Sequence, residues 1–114
     1  MLGSSISSAF PAAFKRLGED ADLLTAVARI FVEDAPDLLS QVRQGVRDEN
    51  LDQVAQVSHK LKGMAANVDD ELAFLAVQPV IDAARAHALD QVRRMIVEME
   101  LQLESLRKTI DQFL

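Results

Sequence analysis

The feature that most constrains this chain is the spacing of its apolar residues, which recur at intervals of three or four over long stretches. The clearest stripe, close to the C-terminus, consists of Val92, Ile96, Met99, Leu103, Leu106, Ile110 and Phe113. This spacing places one apolar face on an α-helix. Strict alternation of apolar and polar residues, the pattern of a half-buried strand, occurs in no segment. The sequence therefore predicts an all-α fold.

Local signals predict the limits of the first two helices. Pro11 suits the first turn of a short helix, which Gly18 would end. The carboxylate of Asp20 or Asp22 can cap a second, longer helix. Its predicted apolar stripe contains Leu23, Val27, Ile30, Phe31, Leu38, Val42 and Val46. Pro36 lies within this helix, and we expect it to kink the helix or to split it in two.

Three more helices are predicted downstream. Asn50 resembles the first residue of a capping box and begins the third helix. The acidic stretch 69–71 suits the start of a fourth helix, which contains Pro79 and runs to about His87. The fifth helix begins at about Ala88. Short connections between long amphipathic helices predict an antiparallel helical bundle.

Composition indicates one folded domain. Hydrophobic residues make up 49% of the chain and charged residues 26%, which is enough apolar material for one core. Residues 1–9 are small and Ser-rich, and we expect them to form a flexible tail. Residues 10–114 contain neither an internal repeat nor a linker. We therefore expect a single domain over residues 10–114.

Several classes of function are disfavoured. The absence of Cys excludes disulfides, thiolate metal sites and a cysteine nucleophile. The net charge of -6 argues against nucleic-acid binding, which needs clustered Lys and Arg. No apolar run is long enough to span a bilayer, and the N-terminus lacks the pattern of a signal peptide. We expect a cytoplasmic, monomeric protein that uses neither a membrane nor a metal.

The third helix has two distinct faces. Its apolar face is predicted to contain Leu51, Val54, Ser58, Leu61, Ala65 and Val68. The opposite row consists of Asp52, Ala55, Gln56, His59, Lys62, Gly63, Ala66 and Asn67. His59 should therefore point into solvent, away from the bundle core.

Three residues of that row, His59, Lys62 and Gly63, form a chemically coherent set. A glycine inside a helix costs roughly 1 kcal/mol relative to alanine, and Gly63 opens space one turn after His59. Lys62 shares the face of His59 and would offset the charge of a phosphoryl group on the imidazole. The set predicts a nucleophile, a nearby cation and room for a partner to dock. The residues alone leave open an incidental surface histidine and a glycine that serves helix packing.

The stretch His59-Lys60-Leu61-Lys62-Gly63, followed by Met64-Ala65-Ala66-Asn67, resembles the signature of histidine phosphotransfer domains. The resemblance extends to residues 31–39, which include the proline of the family's second helix, and to residues 83–86 at the end of its fourth helix. It covers roughly residues 10–114. It implies an antiparallel four-helix up-and-down bundle with a short extra helix at the N-terminus. In this bundle His59 is phosphorylated, Lys62 stabilises the phosphoryl group and Gly63 clears access.

The resemblance also implies a mode of action. The family exchanges phosphate with receiver-domain aspartates of response regulators or hybrid histidine kinases. The Mg²⁺ used belongs to the receiver, so the bundle needs no cofactor. Such a protein is a phosphoryl carrier without ATP-binding machinery, and not an enzyme in the usual sense. The partner would dock around His59, on these residues: Ala55, Gln56, Lys60, Ala66 and Asn67.

The chain departs from the family pattern at a few positions. Asp69 replaces the glycine that usually follows the third helix, and Lys60 replaces a residue that often carries a hydroxyl. The family often has a polar residue on the fourth helix near the histidine, whereas ungapped counting finds Ile81 there. Gln78 and Asp82 are close in sequence, and Pro79 can shift the helical frame, so the residue that orients His59 stays open.

These observations lead to one hypothesis and two alternatives. The hypothesis is a phosphorelay carrier that accepts a phosphoryl group on His59 and passes it to another receiver aspartate. The first alternative is the substrate domain of a larger chemotaxis-type or hybrid histidine kinase. The second is a docking scaffold that is never phosphorylated. The sequence defines neither the cognate kinase and receivers nor the direction of phosphoryl flow.

Overall fold

The computed structural model describes residues 5–114, and every regular element in this range is helical. The elements are α1 (Ile6–Ala9), α2 (Pro11–Arg16), α3 (Ala21–Arg47), α4 (Leu51–Ala66), α5 (Asp70–Leu72), a π-helical turn (Ala73–Val77), α6 (Gln78–Arg85) and α7 (Leu89–Asp111). The backbone stays in the right-handed helical region from α5 through the π-helical turn into α6. These three segments form one composite helix over residues 70–85.

Four long helices build the bundle: α3, α4, the composite helix and α7. Residues 48–50, 67–69 and 86–88 connect them, and connections this short reverse the direction of the chain. The helix α4 packs against α3 and the composite helix, and α7 packs against the same two helices from the other side. The predicted all-α bundle with extra N-terminal helical structure is confirmed.

The helix ends follow from local capping. The side chains of Asp20, Asn50 and Asp69 accept hydrogen bonds from the first turns of α3, α4 and α5 at 3.0, 3.1 and 3.0 Å. Two of the three connections between the long helices use a left-handed residue, Glu49 with φ 54° and His87 with φ 56°. Asp69, which stands where the family usually has glycine, is extended with φ -146°. This connection therefore needs no glycine.

The apolar faces predicted for the third and last helices are confirmed. All six residues predicted for the apolar face of the third helix are buried: Leu51, Val54, Ser58, Leu61 and Ala65 on α4, and Val68 just beyond its end. On α7 the buried residues are Val92, Met99, Leu103, Leu106 and Ile110, while Ile96 and Phe113 are half-buried at its edges. The face of α4 that carries His59 is consequently the one turned away from the core.

The stripe predicted for α3 is wrong at two positions. Leu23 and Ile30 are 42% and 49% exposed. The buried residues of this helix are Leu24, Ala28, Phe31, Ala35, Leu39, Val42 and Gly45. The prediction counted large side chains, whereas α3 approaches its neighbours through alanines and a glycine. The helix also runs through Pro36 without a break, so of the two expected outcomes, a kink or a division into two helices, the division does not occur.

The predicted tail over residues 1–9 also differs from the structure. Ile6–Ala9 form α1, capped by the Ser5 hydroxyl, and Ile6 is buried against the core. A single apolar side chain thus ties this Ser-rich stretch to the bundle. Residues 1–4 lie outside the described range. Within that range, no helix combines the length and hydropathy needed to span a membrane.

Candidate functional site

The helix α4 presents His59 to solvent from a firmly anchored position. Its neighbours Ser58 and Leu61 are fully buried on the opposite side of the helix, which fixes the rotation of α4 against the core. The His59 side chain is exposed, as predicted. Over residues 5–114 its imidazole has no hydrogen-bond partner. Both ring nitrogens are therefore accessible to an incoming molecule.

Gly63 lies one turn after His59 and is open to solvent. A Cβ atom added to Gly63 would meet no atom within 4 Å. Gly45 on α3 behaves differently, because a Cβ there would lie 3.0 Å from Val54 Cγ2 and 3.3 Å from the Asn50 carbonyl oxygen. Close helix packing therefore explains Gly45 and does not explain Gly63. The absence of a side chain at Gly63 matters only to something outside this domain.

Lys62 is held by the composite helix. Its Nζ donates a hydrogen bond to Gln78 Oε1, and Gln78 Nε2 donates to Asp82 Oδ1 at 2.8 Å. Ile81, which ungapped counting places at the family's polar position, is fully buried. Gln78 therefore bonds to Lys62 and Asp82 bonds to Gln78, while neither of these polar residues bonds to the imidazole of His59.

An open depression lies on one side of His59. It is lined by Asp52, Ala55, Gln56, His59 and Arg85. Sequence reasoning missed Arg85, which belongs to α6 and is exposed. The antiparallel register of α4 and α6 places it there, and only pairing the two helices in three dimensions could have identified it. Arg85 adds a second cation to the surroundings of His59.

A groove between α3 and α4 lies on the other side of the same face. The α4 residues along it are Lys60, Gly63, Met64 and Asn67, and the α3 residues are Glu33, Asp34, Asp37 and Leu38. Of the predicted docking residues, Ala55 and Gln56 line the depression, whereas Lys60 and Asn67 line the groove. Ala66 is half-buried, and its carbonyl oxygen accepts a hydrogen bond from Arg16 at 2.9 Å.

The charged side chains that line the depression with His59, Asp52 and Arg85, are exposed. On α7, the hydrogen bond from Arg107 lowers the pKa of Glu104, and the same bond raises the pKa of Arg107. Neither residue lines the depression or the groove beside His59. In the described part of the chain, no cluster of His, Asp and Glu side chains could hold a metal ion.

Comparison with known proteins gives one match. A model of the Hpt domain family matches residues 26–112, which include all of α4 and the composite helix. Searches of the curated proteins and of the solved structures return no match. The matched range contains His59, Lys62 and Gly63 together with the residues that surround them.

Proposed function

The chain belongs to the Hpt domain family, and we propose that it is a phosphorelay carrier whose phosphoryl group resides on His59. Hpt domains carry out histidine phosphotransfer in phosphorelays and interact with receiver or kinase domains. In this proposal His59 accepts a phosphoryl group from a receiver-domain aspartate, or from a kinase, and passes it to another receiver aspartate. The protein is a carrier and takes no part in ATP binding.

The open space beside His59 is the observation that carries this proposal. Gly63 leaves a gap that no group of the domain fills, although alanine there would favour the helix. An exposed nucleophile next to an unfilled gap suits a reaction in which a second protein brings the phosphoryl group to the imidazole. A scaffold that only docks its partner would need neither the gap nor the histidine.

The reaction assigned to His59 is an exchange between two nucleophiles. An imidazole nitrogen forms a bond to the phosphorus of an aspartyl phosphate, and the bond from phosphorus to the aspartate oxygen breaks, which releases the carboxylate. Transfer to the next receiver is the reverse exchange with a different aspartate. The phosphoryl group brings nearly two negative charges, which Lys62 on α4 and Arg85 across the depression would partly offset. Any Mg²⁺ in this exchange belongs to the receiver.

The partner surface follows from the same geometry. Ala55 and Gln56 lie on one side of His59, and Lys60 and Asn67 lie along the groove on the other. With Gly63 and Ala66, they form a low rim around the imidazole on which a receiver can sit. We propose that the domain meets its receivers there as a cytoplasmic monomer.

Transfer to receivers tests the proposal. The protein is phosphorylated with phosphoramidate, purified, and mixed with individual receiver domains from the same genome in the presence of Mg²⁺. We expect at least one receiver to take up the phosphate, with simultaneous loss from the carrier. The reverse reaction, from phosphorylated receiver to unmodified carrier, should fail with His59→Gln. A fully labelled carrier that discharges to none of the receivers would contradict the assignment.

A further inference from the structure

We propose that Gln78 is a positioning residue that holds the Lys62 ammonium beside His59. This inference rests on the proposed function, because it assigns a role to a residue that acts on the phosphoryl site through Lys62. The observation that carries it is a chain of two hydrogen bonds, from Lys62 to Gln78 and from Gln78 to Asp82.

The donor and acceptor groups of the Gln78 amide fix the direction of the two hydrogen bonds. Gln78 has one acceptor oxygen and one donor nitrogen at the end of its side chain, and Asp82 can only accept. The carboxylate of Asp82 takes the Nε2 donor, at 2.8 Å, and so turns Oε1 toward α4. Lys62 Nζ can only donate, and it bonds to that oxygen. Asp82 therefore selects the amide orientation that binds a cation.

The π-helical turn gives the composite helix the register that this chain requires. The N–H of Gln78 bonds to the carbonyl of Ala73, five residues earlier, where an α-helix would use the fourth. One additional residue in a turn rotates everything after it by about 100° around the helix axis. In this register Ile81 is buried in the core, while Gln78 is half-buried and Asp82 is exposed. The two polar residues therefore lie at the α4 side of the surface.

Holding Lys62 has a consequence for the site. A free lysine side chain samples many rotamers, and ordering it costs conformational entropy. The hydrogen bond to Gln78 orders the Lys62 side chain before the phosphoryl group arrives, so less conformational entropy is lost at that step. Lys62 is half-buried, and it follows His59 by three residues on the same face of α4. The cation is then in place when the phosphoryl group reaches the imidazole.

The first measurement reads out Lys62 without phosphate. The protein is treated with a trace of acetic anhydride, and peptide mass spectrometry gives the acetylation of Lys62 relative to Lys15, an exposed lysine on α2. We expect Gln78→Leu to raise this ratio. Gln78→Glu, which keeps an acceptor oxygen and adds a negative charge beside Lys62, should hold the ratio at or below the wild-type value. The matched control is Gln102→Leu, which breaks a similar bond from Gln102 to Glu98 on α7. An unchanged ratio in Gln78→Leu would overturn the inference.

The second measurement reads out the phosphoryl site. We expect Gln78→Leu to slow phosphoramidate labelling of His59 by about three- to tenfold, the range of one hydrogen bond. In a Lys62→Met background the same change should have no further effect, because Gln78 acts only through Lys62. Equal slowing in both backgrounds would show a merely structural role and would contradict the inference. A wild-type protein that never labels would instead contradict the proposed function, while the acetylation ratio would still decide whether Gln78 holds Lys62.

Discussion

Gly63 lies one helical turn after His59 on the exposed face of α4, and a methyl group at Gly63 would contact nothing in the domain. The two residues are thus neighbours across an empty space. Glycine lowers the stability of the helix α4 at this position, and no packing contact within the domain compensates for this loss. At position 63, the stability of the helix favours alanine, whereas access to His59 favours glycine.

The variant Gly63→Ala should therefore fold better and function worse. We expect the free energy of unfolding to rise by about 0.5–1 kcal/mol, because alanine favours the helix and the added Cβ meets no atom. Phosphate exchange with a receiver should slow at the same time, since the methyl group stands where the partner approaches. Urea denaturation and transfer kinetics on the same sample measure the two effects. A stabilised variant with unimpaired transfer would show that Gly63 has no role in access.

The matched variant Gly45→Ala should show the opposite pattern. Its Cβ would lie 3.0 Å from Val54 Cγ2 and 3.3 Å from the Asn50 carbonyl oxygen, and Val54 is fully buried. Overpacking of this kind costs about 1–3 kcal/mol, which outweighs the helix propensity gained. We expect a net loss of about 1 kcal/mol in urea denaturation. Since Gly45 lies outside the face of His59, labelling of the folded protein should stay normal; a gain in stability would contradict the packing described for α3 and α4.

Ser58 is a buried polar residue on the core side of α4. Its side chain is fully buried, and its hydroxyl oxygen has no hydrogen-bond partner within residues 5–114. An unsatisfied buried hydroxyl costs about 1–3 kcal/mol. We expect Ser58→Ala to raise the free energy of unfolding by about 1 kcal/mol, measured by urea denaturation. A substantial loss of stability would mean that the hydroxyl has a partner in solution.

Arg16 ties the N-terminal helices to the end of α4. Its guanidinium donates to the Ala66 carbonyl at 2.9 Å and lies 3.5 Å from the carboxylate of Asp70. Both side chains are more than one-third exposed, so the contribution is modest. We expect Arg16→Ala to destabilise the protein by about 0.5–1 kcal/mol in low salt and by less in high salt. The control Lys15→Ala, at an exposed neighbour, should change little; equal losses in the two variants would point to helix propensity alone.

The sequence predicted the parts of the structure that depend on one helix at a time. The burial of Val54, Leu61 and Ala65 on α4 follows from their spacing alone. The exposure of His59 follows from the same stripe. On α3, however, large side chains such as Ile30 lie outside, because alanines provide the close contacts of this helix. Spacing cannot rank a small buried residue above a large exposed one.

The parts that depend on two helices were beyond sequence reasoning. The bond between Lys62 and Gln78 requires the register of α4 against the composite helix, and the π-helical turn changes that register. Pro79 indicated a change of helical register in the fourth helix but not the direction of that change. The placement of Arg85 beside His59 depends on the same register. The helical periodicity of a sequence does not define the axial register of one helix against another.

The most direct test of the central claim is the intact mass of the protein after treatment with phosphoramidate, for the wild type and for His59→Gln. The second histidine, His87, lies in the connection before α7 and serves as an internal control. We predict a single acid-labile phosphate on the wild type and none on His59→Gln, with both proteins folded. A wild-type protein that stays unmodified, or a His59→Gln variant that labels equally, would contradict the assignment of His59 as the phosphoryl carrier.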